Sequence, residues 1–215
     1  MLILTGSDIE QLLLGREQEL LQTVRGAYEA HARKHTSVPH SVFLRFPDDA
    51  RSRIIALPAY LGEDFQVAGI KWVSSFPGNL SRGLDRASAV MLLNSTLTGR
   101  PEAMMEASII NAKRTAASAA LAAEHLIQNR QIHRAGIVGC GPINFETVRF
   151  LTAVLPSLRA LLIYDTDTQR AKQFKLACEQ FAEDIQIASE LQTVLHGSQL
   201  VSFATTAGVP YVTSA

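Results

Sequence analysis

Two features of this chain have residue types and spacing suited to chemistry. The first is a glycine turn, Gly139-Cys140-Gly141. It follows the short apolar run Ala135 to Val138 and precedes Asn144 to Leu155, where Phe145, Val148 and Leu151 fall at helical spacing. Strand, glycine turn and helix together open a dinucleotide-binding unit. Glycine lets the backbone approach a pyrophosphate, and the free N–H groups of the helix start attract it. The third glycine of the G-x-G-x-x-G pattern is replaced by Asn144, so the turn alone is a weak signal. Asp165, ending the next apolar run Ala160 to Tyr164, strengthens it. An acid there accepts hydrogen bonds from ribose hydroxyls and repels a 2′-phosphate, which favours NAD over NADP. The competing role for Asp165 is a cap for the following helix, which Thr166 or Asp167 can equally supply. The expected cofactor-binding set is Gly139, Gly141, Pro142, Ile143, Asn144 and Asp165, joined by Thr205 and Thr206 at the end of a later strand.

The second feature is Lys71, placed between Gly69-Ile70 and Trp72-Val73. A lysine in so apolar a strand either snorkels from an edge or faces a polar pocket. A pocket lysine can hold a carboxylate and move protons.

The elements that position these residues fall into two patterns. Leu2 to Leu4 reads as a short strand. One long helix is expected from a Ser7 or Asp8 cap to about Arg33, with Gly15 and Gly26 as mild interruptions. Extended segments follow at Ser37–Arg45, Arg51–Tyr60, Phe65–Ser75, Ala87–Asn94 and Ala103–Ala107, with Phe76 to Asn79 a loop and Pro58 suggesting an edge or bulge. Their spacing is antiparallel and argues a mixed α+β domain. A helix rich in alanine, Ser108 to Gln128, carries Arg114 near its start, either as an anion partner or as a surface residue. From residue 131 onward strands and helices alternate in the βαβ manner of a parallel sheet. The fold class is therefore α/β. The domains expected are residues 1–130, a mixed α+β domain, and residues 131–215, a Rossmann-type domain. Four strands are legible there, against roughly six in a full doubly wound sheet, so that domain reads as C-terminally incomplete.

Composition limits the function classes. The 215 residues are 47% hydrophobic and 19% charged with a formal net charge of zero, which supports a real core and gives no nucleic-acid footprint. No apolar run is long enough to span a bilayer and the N-terminus lacks the features of a signal peptide, so cytoplasm is the default compartment and no membrane partner is expected. Cys140 and Cys178 form no paired motif, and His31 and His35 share a helix face without a third ligand, so no metal is expected.

Several stretches together resemble the ornithine cyclodeaminase/mu-crystallin family: Gly69-Ile-Lys71, Thr98-Gly-Arg-Pro101, Lys113-Arg-Thr-Ala-Ala-Ser-Ala-Ala120 and Gly139-Cys-Gly141. Their order and spacing match across the chain. Phe43-Leu-Arg-Phe-Pro47, Ile54 to Tyr60, Trp72 to Asn79 and Arg86-Ala-Ser-Ala89 look most like the branch of N-(2-amino-2-carboxyethyl)-L-glutamate dehydrogenases, which supply 2,3-diaminopropionate for siderophores and peptide antibiotics. The resemblance implies a homodimer, NAD as cofactor and oxidation of a C–H beside a secondary amine, with imine hydrolysis to 2-oxoglutarate and L-2,3-diaminopropionate. It implies Lys71 as a catalytic and substrate-binding residue and Arg45 as its partner on the substrate carboxylate. Arg86 adds a cation, Ser88 stands near the place of a substrate-contacting threonine, and Arg114 matches a position contacting the cofactor phosphates. Other family activities remain open: ornithine cyclodeaminase, alanine or ketimine reductase, or a crystallin-like nucleotide-binding protein. Family chains also continue beyond the position of Ala215 and carry there an aspartate that the cyclodeaminases use.

Overall fold

The structure, a computed structural model, describes residues 1–128 and 130–212. The C-terminal end of the expected nucleotide domain, residues 213–215, lies outside them. The chain divides into two compact units, Met1–Asn111 and the remainder from Ala112.

The first unit opens with β1 (Leu2–Leu4), α1 (Gly6–Leu13) and α2 (Glu17–Ala32). Thr5, not Ser7 or Asp8, is the N-cap of α1: its hydroxyl accepts the Asp8 N–H, and the Asp8 carboxylate accepts the Thr5 N–H at 2.7 Å. This reciprocal pair satisfies two otherwise orphaned donors. The single long helix expected here is in fact two. Gly15 has φ +69°, a conformation that L side chains rarely adopt, and it turns the chain between α1 and α2.

Six further strands follow: β2 (Thr36–Ser37), β3 (Val42–Phe46), β4 (Asp49–Leu61), β5 (Val67–Ser75), β6 (Ala87–Asn94) and β7 (Pro101–Glu106). A 3₁₀ helix, Pro77–Arg82, stands where the sequence suggested a loop. The sheet runs β1-β7-β6-β5-β4-β2, with β3 also on β4. Its pairs are antiparallel except β1–β7, which is parallel and brings Leu2 opposite Ala103. On one side β4 pairs continuously with β5; on the other, β3 covers it up to Ala56 and β2 resumes at Tyr60. Pro58 falls in that gap, where the missing N–H has no strand to serve.

Side chains alternate across this sheet. Val42, Ala56, Trp72 and Val90 stand in one row on one face. Leu57, Lys71, Met91 and Met105 form a row on the other. The first face is the more open: Val42, Leu44, Trp72 and Val90 are all exposed.

The helix α3 (Ser108–Ile127) begins in the first unit and continues into the second. Then come β8 (Arg134–Val138), α4 (Pro142–Val154), β9 (Ala160–Tyr164), α5 (Thr168–Cys178), β10 (Asp184–Ile187), α6 (Leu191–Gly197) and β11 (Leu200–Phe203). The four strands pair in parallel in the order β10-β9-β8-β11. Ile137, Leu161 and Ile163 are fully buried, as expected where helices cover both faces of a parallel sheet. The sequence reading set the domain junction after residue 130, whereas the division falls inside α3. Buried Lys113 of α3 pairs with Glu146 of α4 at 3.2 Å, which ties that helix to the second unit.

Candidate functional site

In the second unit β8 delivers the chain into Gly139, whose φ is +93°. A Cβ there would collide with the carbonyl oxygen of Ala204 and stand 3.1 Å from Thr205 Cγ2, so glycine is required on steric as well as conformational grounds. Around Gly141 the space is open, with nothing within 4 Å of a Cβ built there. Gly141 is also the N-cap of α4 and offers no side-chain cap. Pro142, without an N–H, occupies the first turn, and the first intrahelical bond runs from Phe145 N–H to Gly141 O at 3.0 Å. The N–H groups of Ile143 and Asn144 precede that bond, and no acid stands in the first turn. An open cradle and an uncapped helix start with no acid in its first turn fit a pyrophosphate.

The side chain of Asn144 has a structural task beside the cofactor contact expected of this residue. Its side chain is fully buried. It donates to Val138 O at 2.9 Å and Gly139 O at 2.7 Å, and accepts from the Ser202 hydroxyl at 2.8 Å. It fastens the turn to β8 and β11 from within, and only its backbone N–H remains for a ligand. A third glycine could not make these bonds.

Asp165 is partly buried as a residue, with 6% of its side chain exposed. Its carboxylate accepts the Cys140 N–H at 2.7 Å and the Asp167 N–H at 2.8 Å, and Arg170 Nη1 lies 3.3 Å away. It therefore supports the glycine turn directly. The cap of α5 is Asp167, which accepts from Gln169 N–H and Arg170 N–H. Thr205, beyond β11, bonds Tyr211 through its hydroxyl at 2.9 Å; Thr206 is exposed beside it. Arg114 follows Lys113 on α3, and Glu146, the partner of Lys113, also meets Arg149 at 3.3 Å.

Between the two glycines, Cys140 is buried. Burial first, then the Asp165 carboxylate and Cys178, push its thiol from an ordinary value near 9 to about 12. Burial alone pushes Cys178 to about 12. Both thiols stay neutral at physiological pH, so Cys140 adds no charge against a phosphate. A raised folded pKa means that this stabilisation is complete below about pH 9 and is lost as pH rises towards 12. Unfolding free energy in reducing buffer should accordingly fall above pH 9, by up to about 1.4 kcal/mol per pH unit for each thiol. The slope should be shallower in Cys178→Ala. Urea titrations at several alkaline pH values with identical slopes in both proteins would refute this.

In the first unit Lys71 lies in its row between Leu57 and Met91, and its ammonium donates to Asn111 Oδ1 at 2.7 Å. Asn111 is placed by the start of α3. Ala107 N–H bonds Ala89 O, the Ser108 hydroxyl accepts the Ala89 N–H, and Asn111 N–H returns to Ala107 O. Sequence reasoning missed Asn111, because no local pattern marks a partner 40 residues away. Arg45 shares the Lys71 face through its register with Arg53 and Ser75, and Arg86 reaches the same face by donating to the Ser75 hydroxyl at 2.7 Å. Ser88 is not brought to them. It pairs with Ser74 on the opposite face, where the two hydroxyls lie 2.7 Å apart.

The profile of the ornithine cyclodeaminase/mu-crystallin family matches residues 1–215. The chain belongs to that family. It is 35% identical over 187 residues to the N-((2S)-2-amino-2-carboxyethyl)-L-glutamate dehydrogenase of Staphylococcus aureus, covering 85% of this chain and 53% of the relative. Among solved structures it is similar to the Δ1-pyrroline-2-carboxylate reductase of Thermococcus litoralis in complex with NADH and L-proline. The TM-score is 0.86 at 27% identity, over 94% of this chain and 61% of that one. An archaeal alanine dehydrogenase dimer with bound NAD matches with a TM-score of 0.77 at 31% identity, over 87% of this chain and 56% of that one. The chain spans about half the length of the curated relatives it matches. Among the described residues no helix is long and apolar enough to cross a membrane, and no group of three or more His, Cys, Asp or Glu is placed to hold a metal.

Proposed function

We propose that the protein is an NAD-dependent dehydrogenase that cleaves N-(2-amino-2-carboxyethyl)-L-glutamate to 2-oxoglutarate and L-2,3-diaminopropionate. The observation that carries this reading is the 35% identity to the staphylococcal dehydrogenase, which spans both units. The site geometry supports it. Gly139, Gly141 and the start of α4 would seat the pyrophosphate, Asp165 the adenosine ribose, and Arg114 a phosphate. Bound NAD supplies a hydride acceptor. Lys71, which donates to Asn111, would hold a substrate carboxylate, and its ammonium would exchange a proton while water adds to the imine and the amine leaves. Arg45 and Arg86 bind further carboxylates, for which the guanidinium fork is well shaped.

The test is to mix the full-length protein with this substrate and NAD and follow NADH absorbance. NADH formation together with both named products supports the reading; ammonia release from ornithine without those products, or NAD binding without turnover of any family substrate, would replace it.

A homodimer belongs to this reading. The open sheet face with Val42, Leu44, Trp72 and Val90 is apolar and suits a second copy, and the similar archaeal alanine dehydrogenase is a dimer. Trp72→Glu would place a charge in that contact, at a cost of several kcal/mol. Light scattering after gel filtration should find a dimer for wild type and a folded monomer for Trp72→Glu; a wild-type monomer would count against it.

A further inference from the structure

Arg170 holds the same carboxylate that the adenosine ribose needs. An ionised carboxylate offers about four acceptor positions, two on each oxygen. On Asp165 three of them are taken among the described residues. Oδ2 accepts the Cys140 N–H at 2.7 Å, and Oδ1 accepts both the Asp167 N–H at 2.8 Å and Arg170 Nη1 at 3.3 Å. A ribose diol brings two O–H donors and needs two positions. The ribose of NAD can therefore be held by both hydroxyls only if one of the three bonds gives way.

The bond that gives way is the one to Arg170. The other two come from backbone N–H groups, one inside the glycine turn and one at the N-cap of α5, and both are short. The Arg170 bond is longer than the roughly 2.8 Å usual for a guanidinium on a carboxylate. The arginine side chain is 42% exposed, so it has room to turn. Released from Asp165, it stays anchored, because Nη2 lies 3.3 Å from Asp167 Oδ2. Asp167 is itself fixed by accepting the Gln169 and Arg170 N–H groups.

A 2′-phosphate changes the count. It replaces one hydroxyl donor, so the 3′-hydroxyl alone takes the single free position and Arg170 need not leave Asp165. The 2′-oxygen belongs within hydrogen-bond distance of the carboxylate that Arg170 touches, so a phosphate on it falls within reach of the guanidinium. The guanidinium fork suits a phosphate, and its charge offsets the repulsion from Asp165.

We infer that Arg170 sets the nucleotide selectivity of this site by opposing Asp165, so that the protein takes NADP as a second cofactor behind NAD. The inference rests on the ribose role proposed for Asp165. Fluorescence titration of the full-length protein with NADH and NADPH tests it without turnover. Wild type should bind both, NADH the more tightly. Arg170→Ala should weaken NADPH by about tenfold or more and leave NADH at wild-type affinity or tighter, because the ribose then meets a carboxylate with two free positions. Arg170→Lys, which keeps the charge without the fork, should fall between. A cooperative melt of each variant establishes that it is folded. No binding of NADPH to wild type, or an equal loss of both nucleotides in Arg170→Ala, would overturn the inference. The double variant Asp165→Ala/Arg170→Ala separates it from the reading on which it rests. Asp165→Ala should lower the NADH/NADPH affinity ratio much less when Arg170 is also removed. If the ratio falls by the same factor without Arg170, Asp165 keeps the ribose and Arg170 loses its role; if Asp165→Ala changes neither affinity, the ribose reading itself falls.

Discussion

Lys71→Ala should lower kcat/KM by about 10³-fold, or roughly 4 kcal/mol of transition-state stabilisation, and leave NAD affinity within about twofold of wild type. Lys71 sits in an apolar row of β5, where a charge is retained only if something uses it. Its ammonium is held by a neutral acceptor, Asn111 Oδ1, at 2.7 Å. That bond fixes the direction in which the ammonium points. Alanine removes both the charge and the proton carrier, whereas Lys71→Arg restores only the charge. Arginine should therefore recover much of KM and little of kcat. Steady-state kinetics with the substrate, alongside fluorescence titration with NAD, check this. A parallel loss of NAD binding in Lys71→Ala would place the residue on the cofactor side and contradict the assignment.

Asp165→Ala should weaken NAD by about 10- to 100-fold and lower the NAD/NADP affinity ratio by about tenfold or more. Two causes act together. The carboxylate accepts the N–H of Cys140 inside the glycine turn, and Cys140 is buried. Without that acceptor a buried donor is left unsatisfied, which costs about 1–3 kcal/mol and loosens the turn. Arg170, which now spans Asp165 and Asp167 at 3.3 Å to each, would be released from Asp165 and become available to a 2′-phosphate. Asp165→Asn, which keeps one acceptor oxygen, should lose less NAD affinity. Titration of each variant with NADH and NADPH checks both effects. Unchanged affinity for both nucleotides would remove Asp165 from the site.

How much of this was legible in the sequence depends on the range of the interaction concerned. The strand Ala87–Asn94 and the alternation from β8 to β11 follow from local apolar patterning, and the sequence-derived bounds of β6 coincide with the observed ones. The parallel β1–β7 pair was not visible, since it joins segments about a hundred residues apart with no crossover pattern between them. Gly15 read as a mild interruption because apolar residues recur on both sides of it, while its positive φ is a property of the turn and not of the periodicity. Asn144 was recognised as a departure from the glycine pattern, but its bond to Ser202, 58 residues on, gives the departure its reason. Ser88 shows the opposite limit: one residue of strand parity sets it on the face away from Lys71, which its place in the chain does not reveal.

The most direct test of the central claim follows the hydrogen itself. The full-length protein is supplied with N-(2-amino-2-carboxyethyl)-L-glutamate deuterated at the α-carbon of its glutamate part, together with NAD, and the products are read by mass spectrometry. The proposed reaction predicts singly deuterated NADH in equal amount with 2-oxoglutarate and 2,3-diaminopropionate. Unlabelled NADH, or deuterium lost to solvent water instead of carried on the nicotinamide, would contradict it.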